Sequence, residues 1–341
     1  MAVTIKDIAK KVGLSVTTVS RALNDFDDVN ADTKALIRRT ADEMGYSPNL
    51  LAQRFQKKQT DTIGLILPTF GPRFSDPFFS ELLAGIGNKA AGHGYDLLVS
   101  TRSPGTEELD AYHHMVQGHR VDGLVIVRTR HQDERIQYLC TVGFPFVSFG
   151  RTDGSLDFPY VDEDGAFGMR LVANHLLQLG HRRIACIVSP AHLMFTQYRL
   201  EGLQKRLQEE NLTLPQVLIR EGDMTQRSGY EETNTLLNQP ERPTAIVAFN
   251  DLMAFGAMSA IQDQGLEVGK DITVIGFDNT PMAAHSHPPL TTVHQPIYQI
   301  GSMVCEMLIQ QLQNKPVDEW QVLMQPELII RQSSGPALMS E

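Results

Sequence analysis

Apolar residues near the start of the chain recur at the spacing of one helix face. The first run places four of them on a common side: Ile5, Ile8, Ala9 and Val12. Ahead of this run, Thr4 and Asp7 form a carboxylate variant of the capping box, which marks a helix start. Gly13 follows the run, and glycine readily adopts the left-handed conformation that ends a helix. The pattern therefore predicts a short amphipathic helix.

A second helix is predicted directly after the first, with Ser15 offering its hydroxyl as the N-cap. Its apolar positions are Val16, Val19, Ala22 and Leu23. Two short helices joined by a turn that contains Gly13 predict a helix-turn-helix. The second helix also turns outward polar side chains that suit base edges and phosphates: Thr17, Ser20, Arg21 and Asn24. Taken alone, the same pattern is compatible with an ordinary pair of core helices.

The residues that follow predict a third helix and a linker. Asn30 caps the third helix, which ends at Gly45. Four apolar residues are expected to face inward from it: Leu36, Ile37, Ala41 and Met44. Residues 48–56 predict a further short helix with Pro48 at its first position. About nine residues are too few for a helix to be stable alone in water, so we expect it to order only against a partner.

From Thr62 onward, apolar strands alternate with amphipathic helices. After their polar first residues, residues 62–67 and 122–127 are continuously apolar rather than apolar at every second position, which is typical of strands buried on both faces of a parallel sheet. The theme repeats after Ala166, with further apolar strands expected at residues 183–188, 245–248 and 272–275. The sequence therefore predicts two doubly wound α/β lobes with parallel sheets.

Charge is distributed unevenly along the 341 residues. The whole chain has a formal net charge of −10, yet residues 1–60 hold ten basic and seven acidic side chains, which makes that end +3. The remainder is −13. A mildly basic end on an acidic body predicts that contact with DNA is confined to that end.

The cysteines, the histidines and a glycine-containing segment elsewhere in the chain predict no metal, cofactor or catalytic site. The three cysteines lack metal-type spacing and indicate reduced core thiols, and the histidines have no suitable partner set. Residues 85–90 match a dinucleotide fingerprint, but they lie within a helical pattern rather than directly after a strand. No secretory or membrane-spanning run occurs, so we expect a soluble, cytoplasmic protein.

Five segments in order resemble the lactose-repressor (LacI/GalR) family of transcription factors: TIKDIAKKVGLSVTTVSRALN, GYSPNLLAQRF, TIGLILP, FNDLMAFGA and IGFDNT. The resemblance runs from the first residues to about Arg331. It implies an all-α DNA-binding headpiece and a two-lobed effector domain like the periplasmic binding proteins. The implied parts are a headpiece at 1–45, a hinge helix and linker at 46–60, and an effector and dimerisation domain at 61–341, its lobes being 61–160 with 290–318 and 161–289 with 319–331.

For DNA, the resemblance implies contacts from the headpiece and hinge: Thr4, Ser15, Val16, Thr17, Ser20, Arg21, Asn24, Asn49, Ala52 and Phe55. Val16 and Thr17 stand at the family's two base-reading positions. For Arg21, a base, a phosphate and plain solvent all remain open. The family usually has leucine where this chain has Phe55, and that residue inserts between base steps. Phenylalanine is also a known wedge, although hinge-to-hinge packing is an alternative role for Phe55.

For a small molecule, the resemblance implies a cleft lined by Phe78, Phe79, Phe149, Arg199, Asn250, Asp278 and Gln295. Polar groups beside aromatic rings suit a polyhydroxylated neutral ligand such as a sugar. For Phe78 and Phe79, ordinary core packing is the alternative, and for Asp278 a loop cap. A purine or nucleoside effector also remains open, as does the choice between inducer and corepressor.

The expected function is that of a homodimeric repressor of sugar-uptake or catabolic genes, bound to a pseudo-palindromic operator and controlled by a small-molecule effector. One rival is a ligand-binding module that acts without DNA. Another is an enzyme acting on a sugar, for which Glu163, Asp164 and Asp278 can be nominated as acid and base, but their spacing does not pair them.

Overall fold

The computed structural model describes residues 3–46, 59–69, 76–154, 156–316 and 318–338. The chain divides into two compact units, Met1–Thr60 and Asp61–Glu341. The helix predicted at residues 48–56 lies outside the described residues.

The described residues of the first unit form three helices: α1 Ile5–Val12, α2 Val16–Leu23 and α3 Ala31–Glu43. The Thr4 backbone N–H donates to Asp7 Oδ2 at 2.9 Å, which closes the predicted capping box of α1. Gly13 ends α1 at a φ of 69°, the left-handed conformation. The core beneath the three helices is small and consists of Ile8, Ala9, Val19, Ala22, Ile37 and Ala41.

Leu36, which was expected to face this core, lies at the surface, and so does Val16, an apolar position of α2 that is also an expected base-reading residue. Val16 is 45% exposed and Leu36 is 41% exposed. Val16 is the first residue of α2, one turn away from Val19, which is fully buried. Leu36 precedes Ile37, which is fully buried and takes the core position on this turn of α3.

A six-stranded parallel sheet with helices on both faces forms the first lobe of the second unit. In chain order its elements are β1 Thr62–Pro68, α4 Pro77–Gly92, β2 Asp96–Arg102, α5 Thr106–Gln117, β3 Gly123–Ile126, α6 Glu134–Val142, β4 Phe146–Phe149 and β5 Tyr160–Glu163. Every residue of β1 and β3 is buried, as their continuous apolar sequences require.

The second lobe has the same architecture. Its elements are α7 Gly165–Gln178, β6 Ile184–Val188, α8 Met194–Glu209, β7 Ile219–Glu221, α9 Gln226–Leu237, β8 Ala245–Ala248, α10 Asp251–Asp263, β9 Thr273–Asp278 and β10 Thr291–His294, with 3₁₀ turns at Gln216–Leu218 and Pro281–Ala284. The remaining elements are α11 Ile297–Leu312, β11 Gln321–Met324 and β12 Glu327–Ile329. The strand orders are β11-β5-β4-β3-β1-β2 in the first sheet and β12-β10-β9-β8-β6-β7 in the second, where β12 pairs antiparallel to β10.

The chain passes between the lobes after β5, after β10 and after β11, which corrects the lobe limits implied by the resemblance. Strand β5 continues the first sheet to Glu163, past the expected limit at 160. Strand β10 belongs to the second sheet, and β11 to the first. These strands are short, and β5 and β10 are rich in polar residues, so no apolar run marks them in the sequence.

Close helix packing accounts for the glycine-rich motif at residues 85–90. A Cβ on Gly85 of α4 would lie 2.2 Å from the Tyr298 carbonyl oxygen on α11. A Cβ on Gly301 of α11 would lie 2.6 Å from the Leu82 carbonyl oxygen. Because the two backbones approach this closely, Gly85 serves helix packing in the first lobe.

Candidate functional site

The first turn of α2 presents the expected base-reading residues to solvent. Ser15 caps the helix by accepting a hydrogen bond from the Thr18 backbone N–H at 3.0 Å. Val16 and Thr17 are exposed, so Val16 takes no part in the core. Thr4, which precedes α1, is also exposed. Short side chains at the start of an exposed helix have access to base edges when that helix lies in a major groove.

The second half of α2 carries three further expected contacts, all half-buried. Asn24 ends the helix, and its Nδ2 donates to the Ser20 carbonyl oxygen at 2.9 Å. Arg21 Nε lies 2.6 Å from Asp28 Oδ2, and the guanidinium carbon is 4.5 Å from the centre of the Phe26 ring. The remaining expected DNA contacts lie outside the described residues: Asn49, Ala52 and Phe55.

A cleft opens between the two lobes, with about 650 Å³ of space that includes open solvent at its mouth. The carboxyl ends of both parallel sheets line it, as is usual for open α/β folds. The first lobe contributes Arg128 after β3, Phe149 at the end of β4 and Glu163 at the end of β5. The second lobe contributes Asn250 after β8 and Asp278 at the end of β9, and Gln295 follows β10.

Each of the three arginines in the cleft lining is paired with a carboxylate. The pairs are Arg128 with Asp76 at 3.2 Å, Arg151 with Asp162 at 2.8 Å and Arg199 with Glu163 at 2.8 Å. A fourth carboxyl group, that of Asp278, has no arginine within ion-pair distance among the described residues. Within the described part of the lining, every arginine therefore lies beside a carboxyl group.

Arg199 is held on several sides. It is 4% exposed, its Nη1 donates to the Phe249 carbonyl oxygen at 2.6 Å, and its guanidinium carbon lies 3.5 Å from the centre of the Phe277 ring. Its partner Glu163 belongs to the first sheet, whereas Arg199 lies on α8 of the second lobe. This ion pair therefore joins the two lobes within the cleft lining.

Asp278 occupies unusual backbone, with a φ of 114° that non-glycine residues seldom adopt. Gln295 Nε2 donates to its Oδ1 at 2.7 Å. Burial raises the pKa of Asp278 well above its ordinary value; the positive charge of Arg199 opposes this shift and Asp251 adds to it. Burial also raises the pKa of Asp162, to about 7. The electrostatics of the cleft therefore favour the neutral form of both carboxyl groups, relative to exposed aspartates.

Four buried polar atoms in the cleft lining have no hydrogen-bond partner among the described residues: Glu163 Oε2, Ser189 Oγ, Arg199 Nε and Gln295 Oε1. Buried polar groups are normally paired, and an unpaired one costs about 1–3 kcal/mol. The set contains a donor, two acceptors and a hydroxyl that does both. The cleft therefore has hydrogen-bonding capacity that the protein itself leaves unused.

Aromatic rings form the apolar walls of the cleft. Phe78 and Phe149 are nearly parallel, with ring centres 5.8 Å apart, and Phe195 and Tyr198 line it from α8. Phe79, which was expected in this set, does not line the cleft: it is fully buried in the core of the first lobe and meets Phe78 edge-on. Neighbours on a helix diverge by about 100°, so only Phe78 faces the cleft.

Asn250 lines the cleft, but both polar atoms of its side chain form hydrogen bonds within the protein. Its Oδ1 accepts from the Met253 backbone N–H at 2.9 Å, which caps α10, and its Nδ2 donates to the Met224 carbonyl oxygen at 3.0 Å. The lining also contains residues that sequence analysis did not propose: Asp76, Arg128, Arg151, Asp162, Ser189 and Phe195. Three of them, Arg128, Arg151 and Ser189, follow a strand, and position at a strand end is the one sequence signal that could have indicated these three.

Within the part of the chain that the structure describes, no group of histidine, cysteine, aspartate and glutamate side chains is arranged to hold a metal ion. No helix there is long and apolar enough to cross a membrane.

A helix-turn-helix unit joined to a two-lobed α/β domain with a central cleft defines a DNA-binding regulator with a ligand pocket. Two family models match the chain: bacterial regulatory proteins of the lacI family over residues 4–49, and a periplasmic binding protein-like domain over residues 173–334. The HTH-type transcriptional regulator AglR of Rhizobium meliloti (strain 1021) is 37% identical over 341 residues, which cover 99% of this chain and 96% of that protein.

Solved structures agree. The Lac repressor dimer bound to operator and the anti-inducer ONPF is 31% identical, with a TM-score of 0.87 over 98% of this chain and 100% of that one. The complex of the transcriptional regulator CelR with cellobiose is 28% identical, with a TM-score of 0.75 over 97% and 99%. This chain belongs to the LacI family. It is a DNA-binding transcriptional regulator and not an enzyme, and the predicted family and fold class are confirmed.

Proposed function

We propose that the chain is a homodimeric repressor of sugar-uptake or catabolic genes, acting in the cytoplasm, whose operator affinity is set by a neutral saccharide in the cleft. The dimer would present two copies of α2 to the half-sites of a pseudo-palindromic operator. Val16 and Thr17 would contact base edges, and Thr4, Ser15, Ser20, Arg21 and Asn24 would flank them.

The four unpartnered polar atoms between aromatic walls carry the ligand part of this proposal. A sugar has hydroxyl groups that donate and accept around its edge, and these match the unused groups of Glu163, Ser189, Arg199 and Gln295. Its C–H face suits the ring of Phe78 or Phe149. CelR, a structural neighbour solved with cellobiose, supports the same ligand class.

The charges of the cleft favour a neutral ligand over a phosphorylated one. Each arginine in the lining already has a carboxylate partner, and the lining contains one further carboxyl group, that of Asp278. A phosphate would have to displace a carboxylate from a buried arginine and leave that carboxylate unpaired, which is costly. A neutral polyol needs no such exchange.

Regulation follows from linkage between ligand and DNA. The lining comes from both lobes, so a ligand that bridges them changes the free energy of the lobe arrangement. If operator DNA prefers one arrangement, ligand and operator change each other's affinity by the same factor. An inducer lowers operator affinity and a corepressor raises it, and either result supports the proposal.

The first experiment is a thermal-shift screen of the purified protein against neutral mono- and disaccharides, sugar phosphates and purines. A ligand that binds only the native state, at about a hundred times its Kd, adds roughly 2.7 kcal/mol to the free energy of unfolding. We expect stabilisation by a neutral sugar. Stabilisation only by purines or sugar phosphates contradicts the proposed ligand class.

Two buried hydroxyls provide a matched pair of variants. Ser189 Oγ and Thr233 Oγ1 are both buried and unpartnered among the described residues, but Ser189 lines the cleft and Thr233 lies on α9, outside the lining. Ser189→Ala should lower the affinity for the sugar that the screen identifies by about three- to tenfold, because one hydrogen bond is lost. Thr233→Val should leave its affinity unchanged. Neither change removes a hydrogen bond within the protein, so the melting temperature without ligand should stay near that of the wild type.

The operator half of the proposal needs its own measurement. An operator is selected from random palindromic duplexes, and its Kd is measured by fluorescence anisotropy with and without the identified sugar. An unchanged Kd with a sugar shown to bind contradicts the regulatory proposal.

A further inference from the structure

Helix α8 separates the effector cleft from a second cavity in the same domain. Four residues of α8 line the cleft: Met194, Phe195, Tyr198 and Arg199. Four others line the second cavity: Thr196, Gln197, Leu200 and Gln204. Because successive residues of a helix are about 100° apart, the two sets lie on opposite faces of α8. The second cavity is therefore a space of its own rather than an extension of the cleft.

We propose that the second cavity binds a small protonated amine with a short apolar body. This site goes beyond the proposed DNA-binding function and does not depend on which ligand the cleft takes. The cavity has a volume of about 350 Å³, within the roughly 300–1,000 Å³ typical of small-molecule sites. Besides α8, its lining comes from strands β6 and β7 of the second lobe, and His131 is contributed by the first lobe.

Two polar atoms on the cavity side of α8 are buried and have no hydrogen-bond partner among the described residues. One is the Oγ1 of Thr196, a residue that is only 3% exposed. The other is the Oε1 of Gln197, whose Nε2 donates to Glu201 Oε1 at 2.8 Å. Buried polar atoms are normally paired. An amide oxygen only accepts hydrogen bonds and a hydroxyl can accept them, so a ligand that donates satisfies both atoms.

The charge of the lining selects against an anion. Glu221 at the end of β7 carries a carboxylate, one oxygen of which accepts from the Ala191 backbone N–H at 3.3 Å. The described lining contains no arginine and no lysine. His131 can become positive, but its Nδ1 lies 2.9 Å from Asp153 Oδ2. The cavity thus differs from the cleft, whose lining contains three arginines.

A protonated amine matches both of these properties. An ammonium group offers three donors and a positive charge, whereas a hydroxyl group offers one donor and no charge. The acceptors that would receive it are Thr196 Oγ1, Gln197 Oε1 and the Glu221 carboxylate. Apolar side chains in the lining, Val188, Leu200 and Ile219, suit a short alkyl body.

The experiment compares three probes of similar size and different charge: n-butylammonium, n-butanol and butyrate. Each is titrated into the full chain at constant ionic strength, and binding is followed by saturation-transfer NMR. We expect butylammonium to bind at least about threefold more tightly than butanol, because a partly exposed ion pair adds a modest amount of affinity. Butyrate should show no saturable binding, because the lining offers it a like charge.

Two glutamates provide a matched pair of charge variants. In Glu221→Gln the preference for butylammonium over butanol should disappear, while the amide oxygen can still accept from the Ala191 backbone N–H. Glu231 is exposed on α9 and lies outside the cavity lining, so Glu231→Gln removes the same charge and should keep the preference.

Three hydroxyl variants locate the probe. Thr196→Val should lower the affinity for butylammonium about three- to tenfold, because one hydrogen bond is lost. Thr233→Val, which changes a buried hydroxyl outside both linings, should leave this affinity unchanged. Ser189→Ala should also leave it unchanged, because Ser189 lines the cleft and not the second cavity.

Four results would overturn the amine site. Butylammonium binds no more tightly than butyrate, or Glu221→Gln keeps the preference for the amine, or Thr196→Val binds as the wild type does. A loss of binding in Ser189→Ala would place the amine in the cleft instead. Since none of these measurements uses a sugar or DNA, a failure of the proposed sugar or operator function leaves them interpretable.

Discussion

The surface of α2 and the effector cleft place their candidate binding residues in opposite environments. Val16 and Thr17 project from an exposed helix above a small core to which they do not contribute. Arg199, Glu163 and Asp278 are 4%, 3% and 7% exposed. Arg199 pairs with Glu163 across the two lobes, and Asp278 accepts a hydrogen bond from Gln295. A change on α2 should therefore alter specificity alone, whereas a change in the cleft should also alter folding.

The adjacent pair Phe78 and Phe79 gives the largest expected effect. Phe79 is fully buried, so Phe79→Ala should lower the free energy of unfolding by about 3–5 kcal/mol. Phe78 is half-buried and lines the cleft, so Phe78→Ala should lower the free energy of unfolding much less but should weaken binding of the sugar. Urea unfolding followed by the fluorescence of Trp320, the single tryptophan, measures the first quantity. Equal destabilisation by both changes would argue against this division between core and cleft.

These two residues also show what the sequence could and could not predict. The helical pattern and the family resemblance place both phenylalanines at the start of one helix, but their spacing does not say which of two neighbours faces the core. That depends on how α4 packs on the first sheet. For the same reason Leu36 was wrongly expected to face inward from α3, where Ile37 takes the core position.

The ion pairs of the cleft lay beyond sequence reasoning for a different reason. Glu163 and Arg199 are 36 positions apart, on different lobes, and meet only because the chain crosses between two sheets. The strand that carries Glu163 is four residues long and half acidic, so it lacks the apolar run that identifies β1 or β3. By contrast, the alternation of apolar strands and helices is local information, and it predicted both parallel sheets.

The pH dependence of the free energy of unfolding tests whether the buried carboxyl group of Asp162 lowers stability at neutral pH. Burial and the neighbouring charge of Glu163 raise its pKa to about 7, against the pairing with Arg151. Since the folded state holds the proton more tightly than the unfolded state, protonation of Asp162 adds to folding stability. This contribution is complete below the ordinary pKa of 3.8, and it is lost as pH rises through about 7. Asp162→Asn removes this term.

Between pH 5 and pH 8, the stability of the wild type relative to Asp162→Asn should fall by roughly 2–3 kcal/mol in urea unfolding. Asp223 serves as the control in the same domain. Burial raises its pKa, but hydrogen bonds from Ser228 and Thr225 outweigh that and lower it. Asp223→Asn should therefore differ from the wild type by a constant amount over this pH range. A constant difference for Asp162→Asn as well would show that the Asp162 carboxyl group is not held in its neutral form.

Val16 should give the smallest and most selective effect, on DNA alone. If Val16 packs on a base edge, Val16→Ala should weaken binding to the selected operator by about 1 kcal/mol, roughly fivefold. Binding to random duplexes and the melting temperature of the headpiece should be unchanged. Leu36→Ala is the matched control, since Leu36 is exposed to a similar degree on α3 and carries no proposed DNA contact. Anisotropy and thermal unfolding by circular dichroism measure the two quantities. A loss of headpiece stability in Val16→Ala would mean that the start of α2 serves packing, and an equal loss of affinity for random DNA would mean that it contacts phosphates. In either case the contrast between the headpiece surface and the cleft would not hold for the headpiece.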